Sequence, residues 1–208
     1  MIVAIDGPAG AGKSTVARRL AERLGFDYLD TGAMYRALTW LAMQRGLDLS
    51  EGQRLGQLAA ENPVEFSETG RVSIAGTDVT ASIRKSNIDR QVPVVARHPA
   101  VREVMRERQR ELGHQGDVVI EGRDIGTVVA PDAQVKVFLT ADGAARASRR
   151  AAEASWSTRA DQERRDRMDA AQSGKAADAV EVDSTGLDLD GVVGVIVGLV
   201  PKPLQKSR

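Results

Sequence analysis

The chain contains no cysteine and only two histidines, His98 and His114, among its 208 residues. Disulfide bonds, thiolate metal centres and histidine-rich metal sites are therefore excluded. Lys+Arg and Asp+Glu both number 29, so the formal net charge is zero. A neutral chain has no overall electrostatic attraction for nucleic acid, and we expect no nucleic-acid partner.

Long hydrophobic runs are also missing. The longest late run, residues 192–200, is too short to cross a bilayer and is interrupted by glycines. The first apolar run starts at Ile2, which leaves no room for a signal peptide. We therefore expect a soluble, cytoplasmic protein with no membrane partner.

Short apolar runs alternate with helical stretches along the chain. Runs typical of strands buried on both faces are 2–5, 28–29, 118–120, 135–139 and 179–182, and the helical stretches are 14–24, 33–45, 100–112, 141–154 and 190–200. This alternation predicts an α/β fold with a parallel sheet flanked by helices. Ligands then bind beyond the carboxyl ends of the strands, so the loops after Ile5, Leu29, Ile120 and Leu139 should line one cleft.

Two segments break this alternation. Within 47–92 the sequence predicts a helix over 51–60 and short strands over 64–66 and 71–75, which indicates a small α+β insert. Residues 146–178 are rich in Arg, Ala and Asp, and we interpret them as a solvated helical lid. The core domain would then consist of 1–46, 93–145 and 179–200, followed by a frayed tail at 201–208.

Residues 7–14 have the phosphate-binding pattern G-x-x-x-x-G-K-[ST], directly after the first apolar run. The glycines let backbone N–H groups converge on phosphate oxygens, and the following helix presents its positive end to them. Lys13 should reach the β- and γ-phosphates of ATP, and the Ser14 hydroxyl should hold Mg²⁺. The predicted ATP-binding residues are Gly7, Pro8, Ala9, Gly10, Ala11, Gly12, Lys13, Ser14 and Thr15.

Polar residues follow two other predicted strands. Thr31 and Arg36 are either ligand-binding groups or a helix N-cap and a surface charge. Glu121 can orient the metal or a metal-bound water, while Arg123 and Asp124 can grip a polar ligand or form a structural ion pair. We expect two or three arginines of the lid to stabilise the transferring phosphate, out of Arg146, Arg149, Arg150, Arg164, Arg165 and Arg167.

Four stretches together resemble the bacterial cytidylate kinases: 7–14, 30–36, 121–133 and 178–185. The stretch 122–133, which fits G-R-D-[IM]-G-T-V-V-x-P-[DE]-A, is the specific one, since a phosphate loop alone indicates only nucleotide binding. The resemblance implies transfer of the γ-phosphoryl group of ATP, with Mg²⁺, to CMP or dCMP. It also implies a P-loop NTPase-type core with a nucleoside-monophosphate-binding insert and a short lid, and we expect the chain to be a monomer.

The resemblance also implies roles for individual residues. By matching position, Thr31 and Arg36 would contact the acceptor phosphate or nucleoside, and Arg102 would contact cytosine. Arg123 and Asp124 would contact the phosphate and cytosine. Arg165 would approach the acceptor phosphate and Asp169 the sugar hydroxyls. Lys13, Arg123 and Arg165 would be catalytic, and Arg149 would contact ATP. No general base is required, because the attacking phosphate oxygen is already an anion.

The chain departs from the family pattern at two positions, with Pro93 where many members have Ser and Gln172 where many have Arg. The preference between CMP and dCMP therefore stays open. Other kinases of this fold, acting on UMP, dTMP or shikimate, are the main alternative. A GTPase is a weaker one, because D-x-x-G occurs at 183–186 and 188–191 without an Asn-Lys-x-Asp motif. A non-catalytic ATP-binding module is the third.

Overall fold

The computed structural model of the chain describes residues 1–67, 69–153 and 174–201. Its strands are β1 (Ile2–Asp6), β2 (Asp27–Asp30), β3 (Glu65–Phe66), β4 (Val72–Ile74), β5 (Thr77–Asp78), β6 (Val118–Gly122), β7 (Val135–Thr140) and β8 (Val180–Asp183). Its α-helices are α1 (Lys13–Leu24), α2 (Thr31–Gln44), α3 (Gly52–Glu61), α4 (Ser86–Ala96), α5 (Pro99–Gly113), α6 (Gly143–Glu153) and α7 (Leu189–Leu199). A 3₁₀ helix covers Ser82–Arg84 and a π-helical turn covers Ile125–Val129.

Five strands form one parallel sheet in the order β2-β6-β1-β7-β8. The central strand, β1, and its neighbour β6 are buried along their whole length. This burial on both faces explains why their sequences are nearly continuous apolar runs. The predicted sheet, its five strands and the five predicted core helices are confirmed, with boundaries that differ by at most two residues.

Hydrophobic cores lie on both faces of this sheet because successive side chains of a strand point to opposite sides. Ile2 and Ala4 of β1 pack with α2, α3 and α5 in one core, whereas Val3 and Ile5 pack with α1 and α7 in the other. The sheet is thus held rigidly between two layers, and its carboxyl edge is a fixed platform for the loops that follow β1, β2, β6 and β7.

Residues 47–92 contain α3 and a small antiparallel sheet in the order β3-β4-β5. The sequence did not predict β5, because a strand of two residues shows no alternation. It did not predict α4 either, because Pro93 lies inside that helix and a proline usually ends a helical pattern. Helix α4 extends across the predicted boundary between residues 92 and 93.

The predicted lid and tail fall mostly on 154–173 and 202–208, outside the described residues. Within the described part of the chain, no helix has the length and apolarity that a bilayer span requires.

Candidate active site

The loop between β1 and α1 has the backbone that a phosphate-binding loop requires. Gly7 passes so close to β7 that a Cβ there would lie 2.1 Å from the carbonyl oxygen of Leu139. Gly12, at the N-cap of α1, has φ 90°, a left-handed conformation that favours glycine. Among the described residues no side chain caps α1, so the amides of its first turn face the loop, as an anion site needs.

Lys13 and Ser14 begin α1, at the edge of the loop. The Lys13 side chain is buried and folds back over the loop, where Nζ donates to the Pro8 carbonyl at 2.9 Å. The Ser14 hydroxyl donates to Oε1 of Glu121 at 2.5 Å. Because β1 and β6 are neighbours, with Ile5 paired to Glu121, the strand ends bring together the two residues predicted to hold a metal.

Glu121 is a buried carboxylate at the end of β6. Burial raises its pKa, and the nearby charge of Asp30 raises it further, against the opposing effects of Lys13 and Ser14. A buried carboxylate with a raised pKa is stabilised by an added cation. No cluster of three or more acidic, His or Cys ligands exists in the described residues. The Ser14 hydroxyl and the Glu121 carboxylate are oxygen ligands, and this donor set fits Mg²⁺, which usually keeps water and phosphate oxygens as its other ligands.

Asp30 ends β2 and is the N-cap of α2, with Oδ1 accepting from the Ala33 amide at 2.8 Å. Its Oδ2 accepts from Nη2 of Arg84 at 2.8 Å. Burial works to raise the pKa of Asp30, but the charges of Arg36 and Arg84 outweigh it and hold the pKa below its usual value. Arg84, which the sequence did not single out, therefore links the 3₁₀ helix to the edge of the core sheet.

Thr31 and Arg36 are not the capping and surface residues that one interpretation allowed. Thr31 is buried, and its hydroxyl donates to the backbone carbonyl of Glu121 at 2.7 Å, because the cap is supplied by Asp30. The Arg36 side chain is 21% exposed and lies 3.8 Å from Asp30 and 3.7 Å from Asp89. Arg36 is therefore a partly buried cation with a carboxylate on each of two neighbouring elements.

Asp124 accepts hydrogen bonds from two arginines of α5. Nη2 of Arg102 lies 2.6 Å from Oδ2 of Asp124, and Nη2 of Arg106 lies 2.8 Å from the same oxygen. The sequence predicted Arg102 but not Arg106. The signal was available, because residues four apart on a helix share a face and Arg106 is one turn beyond Arg102.

Asp6 is a buried carboxylate that the sequence analysis also missed. Its Oδ1 accepts from the amide of Ile125 at 2.9 Å and its Oδ2 accepts from that of Gly126 at 2.7 Å. Burial raises its pKa despite these two hydrogen bonds. Asp6 thus fixes the π-helical turn after Asp124 to the strand that carries the phosphate loop.

Two arginines of α6 contact the phosphate loop from the other side. Nη1 of Arg146 donates to the Ala9 carbonyl at 3.1 Å. Nη1 of Arg149 donates to the carbonyl of Ala11 at 3.3 Å, and Nη2 donates to that of Ser184 at 2.8 Å. The side chain of Arg150 and the residues Arg164, Arg165, Arg167, Asp169 and Gln172 lie outside the described part of the structure.

One cavity of about 160 Å³ runs from the phosphate loop to Asp124. The predicted site residues that line it are Ala9, Gly10, Gly12, Lys13, Ser14, Thr31, Arg36, Arg102, Glu121, Arg123 and Asp124. Those that are described but do not line it are Gly7, Pro8, Ala11, Thr15 and Arg149. Lining residues that the sequence analysis did not single out include Asp30, Tyr35, Asp89, Val92, Ala96 and Gln109.

The sequence profile of the family described as "Cytidylate kinase" matches residues 3–202. The chain belongs to the cytidylate kinase family. The cytidylate kinase of Anoxybacillus flavithermus is 45% identical over an alignment of 218 positions, gaps included. The alignment covers 98% of this chain and 97% of that protein. The cytidylate kinase of Bacillus subtilis is 43% identical, with 99% and 97% covered. These matches confirm the resemblance found in the sequence.

One relative is much longer than this chain. The bifunctional pantoate ligase/cytidylate kinase of Synechococcus elongatus is 48% identical over 95% of the chain, but the chain spans only 41% of its length. Among solved structures, a gluconokinase from Sinorhizobium meliloti has a TM-score of 0.51 at 16% identity, covering 95% of this chain and 90% of that one. That likeness concerns the fold alone.

Proposed function

We propose that the chain transfers the γ-phosphoryl group of ATP to CMP or dCMP, giving ADP and CDP or dCDP. The observation that carries this proposal is the continuous cavity that joins a phosphate loop to the Arg102–Asp124 pair in a member of the cytidylate kinase family. One end of this cavity has the amides and the ammonium group that phosphates require, and the other end has a carboxylate and a guanidinium that can pair with a heterocyclic base.

The donor end would bind ATP through the amides of residues 10–15 and the ammonium of Lys13. Arg149 lies beside this loop and would contact the same nucleotide. Ser14 and Glu121 would hold Mg²⁺, which, when bound, would neutralise phosphate charge that develops during transfer. The buried position of Glu121 favours this role, because an unneutralised carboxylate is costly there.

At the acceptor end of the cavity, arginine side chains would bind the phosphate of the nucleoside monophosphate, and Asp124 would recognise the base. Arg36 and Arg123 line the cavity and would hold the acceptor phosphate. The carboxylate of Asp124 can accept from the amino group of cytosine, and Arg102 can donate to the adjacent ring nitrogen. Uracil presents a carbonyl oxygen where cytosine has its amino group, so it would face the carboxylate with an unmatched acceptor.

Catalysis would consist of positioning and charge stabilisation. An oxygen of the acceptor phosphate attacks the γ-phosphorus in line, and the bond from that phosphorus to the bridging oxygen breaks to release ADP. The nucleophile is already an anion, so no side chain has to remove a proton. Lys13, Arg123 and, outside the described residues, Arg165 would stabilise the transferring group.

The domain organisation that follows is also a proposal. Residues 47–92 would form the acceptor-binding insert, which supplies Asp89 and Val92 to the cavity wall. Residues 146–178 would form the lid, with Asp169 at the sugar hydroxyls. Such an enzyme belongs to pyrimidine nucleotide metabolism, and we expect it to act in the cytoplasm as a monomer.

The test is a coupled assay of ADP release with ATP and Mg²⁺, comparing CMP, dCMP, UMP, AMP, dTMP and shikimate with a control lacking acceptor. We expect fast turnover with CMP and dCMP and slow turnover with the others. Preference for another acceptor would overturn the assignment of the substrate. ADP release that is independent of any acceptor would overturn the phosphotransferase assignment itself.

A further inference from the structure

The base-binding end of the cavity contains a buried amide without a hydrogen-bond partner. Gln109 of α5 is only 2% exposed and lines the cavity together with Tyr35, Arg102 and Asp124. Within the described residues, its Nε2 atom donates to no acceptor. The Gln109 side chain interacts with the Tyr35 hydroxyl and counteracts the rise that burial causes in the pKa of Tyr35, but this contact does not satisfy Nε2 as a hydrogen bond.

An unpartnered buried donor is rare in folded proteins because it loses its hydrogen bonds to water and gains none in return. Cavity-lining groups are the usual exception, since a ligand can supply the missing acceptor. The same cavity also has apolar lining from α4, formed by Val92, Pro93 and Ala96. This pocket therefore suits a flat heterocycle that brings its own polar edge.

The contacts proposed for Asp124 and Arg102 leave one acceptor on the hydrogen-bonding edge of cytosine unassigned. Cytosine presents an amino group, a ring nitrogen and a carbonyl oxygen in that order. Under the proposed function, Asp124 accepts from the amino group and Arg102, which lies 2.6 Å from Asp124, donates to the neighbouring nitrogen. Arg123 is assigned to the acceptor phosphate under the proposed function, so the 2-carbonyl oxygen is open to a further donor.

We propose that the side-chain amide of Gln109 donates a hydrogen bond to the 2-carbonyl oxygen of the pyrimidine and so helps to bind the base. This inference rests on the proposed function. Because cytosine and uracil share the 2-carbonyl group, Gln109 strengthens the binding of both bases equally. Discrimination between them is left to Asp124.

The experiment combines a protein change with a ligand change. Isothermal titration of the full chain without ATP measures the Kd of CMP, UMP and 2-thio-CMP, in which a weakly accepting sulfur replaces the carbonyl oxygen. Gln109→Met keeps the length of the side chain and removes the donor. Gln115→Met, in an exposed position after the same helix, is the matched control.

For Gln109→Met we expect the Kd of CMP and of UMP to rise by the same factor, about 5- to 20-fold, which is the value of one hydrogen bond. The penalty for 2-thio-CMP seen with the wild-type chain should disappear in this variant. The melting temperature should not fall, because a buried unpartnered group has been removed. Gln115→Met should behave as wild type.

Other outcomes would overturn the inference. A Kd for CMP within twofold of wild type, or a sulfur penalty that persists in Gln109→Met, would show that the amide does not contact the base. A lower melting temperature with equal loss of ATP binding would show a structural role instead. If Gln109→Met does not fold, Gln109→Leu, which also removes the donor and introduces no charge, gives the same comparison. A wild-type chain that binds no CMP would overturn the proposed function, and this inference with it.

Discussion

The hydroxyl of Ser14 and the carboxylate of Glu121 are joined by a hydrogen bond of 2.5 Å that connects the first turn of α1 to the end of β6. Tyr28 adds a second donor to the same carboxylate oxygen at 3.2 Å. Two neighbouring strands and one helix therefore converge on a single buried anion. A cation that binds there would be held by groups that already have their positions, so little reorganisation would accompany binding.

Glu121→Gln should change activity and stability in opposite directions, with lower activity and, at higher pH, greater thermal stability than wild type. The pKa of Glu121 in the folded chain is raised, so its contribution to stability is fully present below its unfolded pKa and is lost as the pH rises through the folded pKa. The Gln variant has no such loss. Its melting temperature relative to wild type should therefore increase as the pH rises above the unfolded pKa of a glutamate, about 4.3.

The activity of Glu121→Gln with ATP, Mg²⁺ and CMP should fall by about 10- to 100-fold, as for other changes around a metal. Thermal unfolding at several pH values and a coupled assay measure the two effects. A variant that is less stable than wild type at high pH would show that the buried carboxylate is compensated in the folded chain without a cation.

Lys13→Met should abolish most of the turnover. The side chain is buried against the loop and is the group best placed to stabilise the transferring phosphate. Loss of one such contact costs about 3–4 kcal/mol in the transition state, or a factor of 10² to 10³ in kcat/KM. Lys85, which is exposed and does not line the cavity, offers the control Lys85→Met. Equal activities of the two variants would contradict the role of the phosphate loop.

Asp124→Asn should narrow the preference for CMP over UMP. An amide at this position can donate to the carbonyl oxygen of uracil as well as accept from the amino group of cytosine. The ratio of kcat/KM values for the two acceptors should fall by at least about tenfold. The variant also leaves Arg102 and Arg106 without their carboxylate, so the KM of CMP should rise. An unchanged ratio would remove Asp124 from base recognition.

Arg84→Met should weaken the fold in a pH-dependent way. The lowered pKa of Asp30 contributes stability above its unfolded pKa, and this contribution is lost as the pH falls through the folded pKa. Arg84 is 47% exposed, so solvent screening limits the effect to about 0.5–1 kcal/mol near neutral pH. The free energy of unfolding that Arg84→Met loses should become smaller at acidic pH. Denaturant unfolding should show a smaller effect for Arg71→Met, because Arg71 and Asp78 form an exposed pair.

The core sheet and the phosphate loop could be predicted from the sequence because both depend on local patterns. Strands such as β1 and β6 are apolar throughout, and the loop depends on glycines at fixed spacing. Helix α4 could not be predicted, because Pro93 contradicts the helical pattern that tertiary packing imposes. Local sequence also cannot show which strand lies beside which, and so did not reveal that Asp30 and Glu121 are direct neighbours.

The site residues divide in the same way. Lys13, Ser14 and Asp124 belong to motifs and were predicted. Asp6 and Arg106 were not predicted because they act through contacts between elements far apart in sequence, such as the 2.7 Å hydrogen bond from the Gly126 amide to Asp6. Gln109 was not predicted because only tertiary packing places it in the cavity wall. Gln109 in particular resembles any polar residue of an amphipathic helix until its burial is known.

Asp6 and Gly7 are consecutive residues that face opposite partners. Asp6 holds the turn after Asp124, while Gly7 lies against the carbonyl of Leu139 and starts the phosphate loop. The phosphate loop and the turn after Asp124 are therefore anchored to the same strand end. Val92 and Ala96, which line the same cavity, belong to α4 and not to this anchor. Substitutions at Val92 or Ala96 can thus reshape the cavity wall while the phosphate loop and Asp124 keep their relative position.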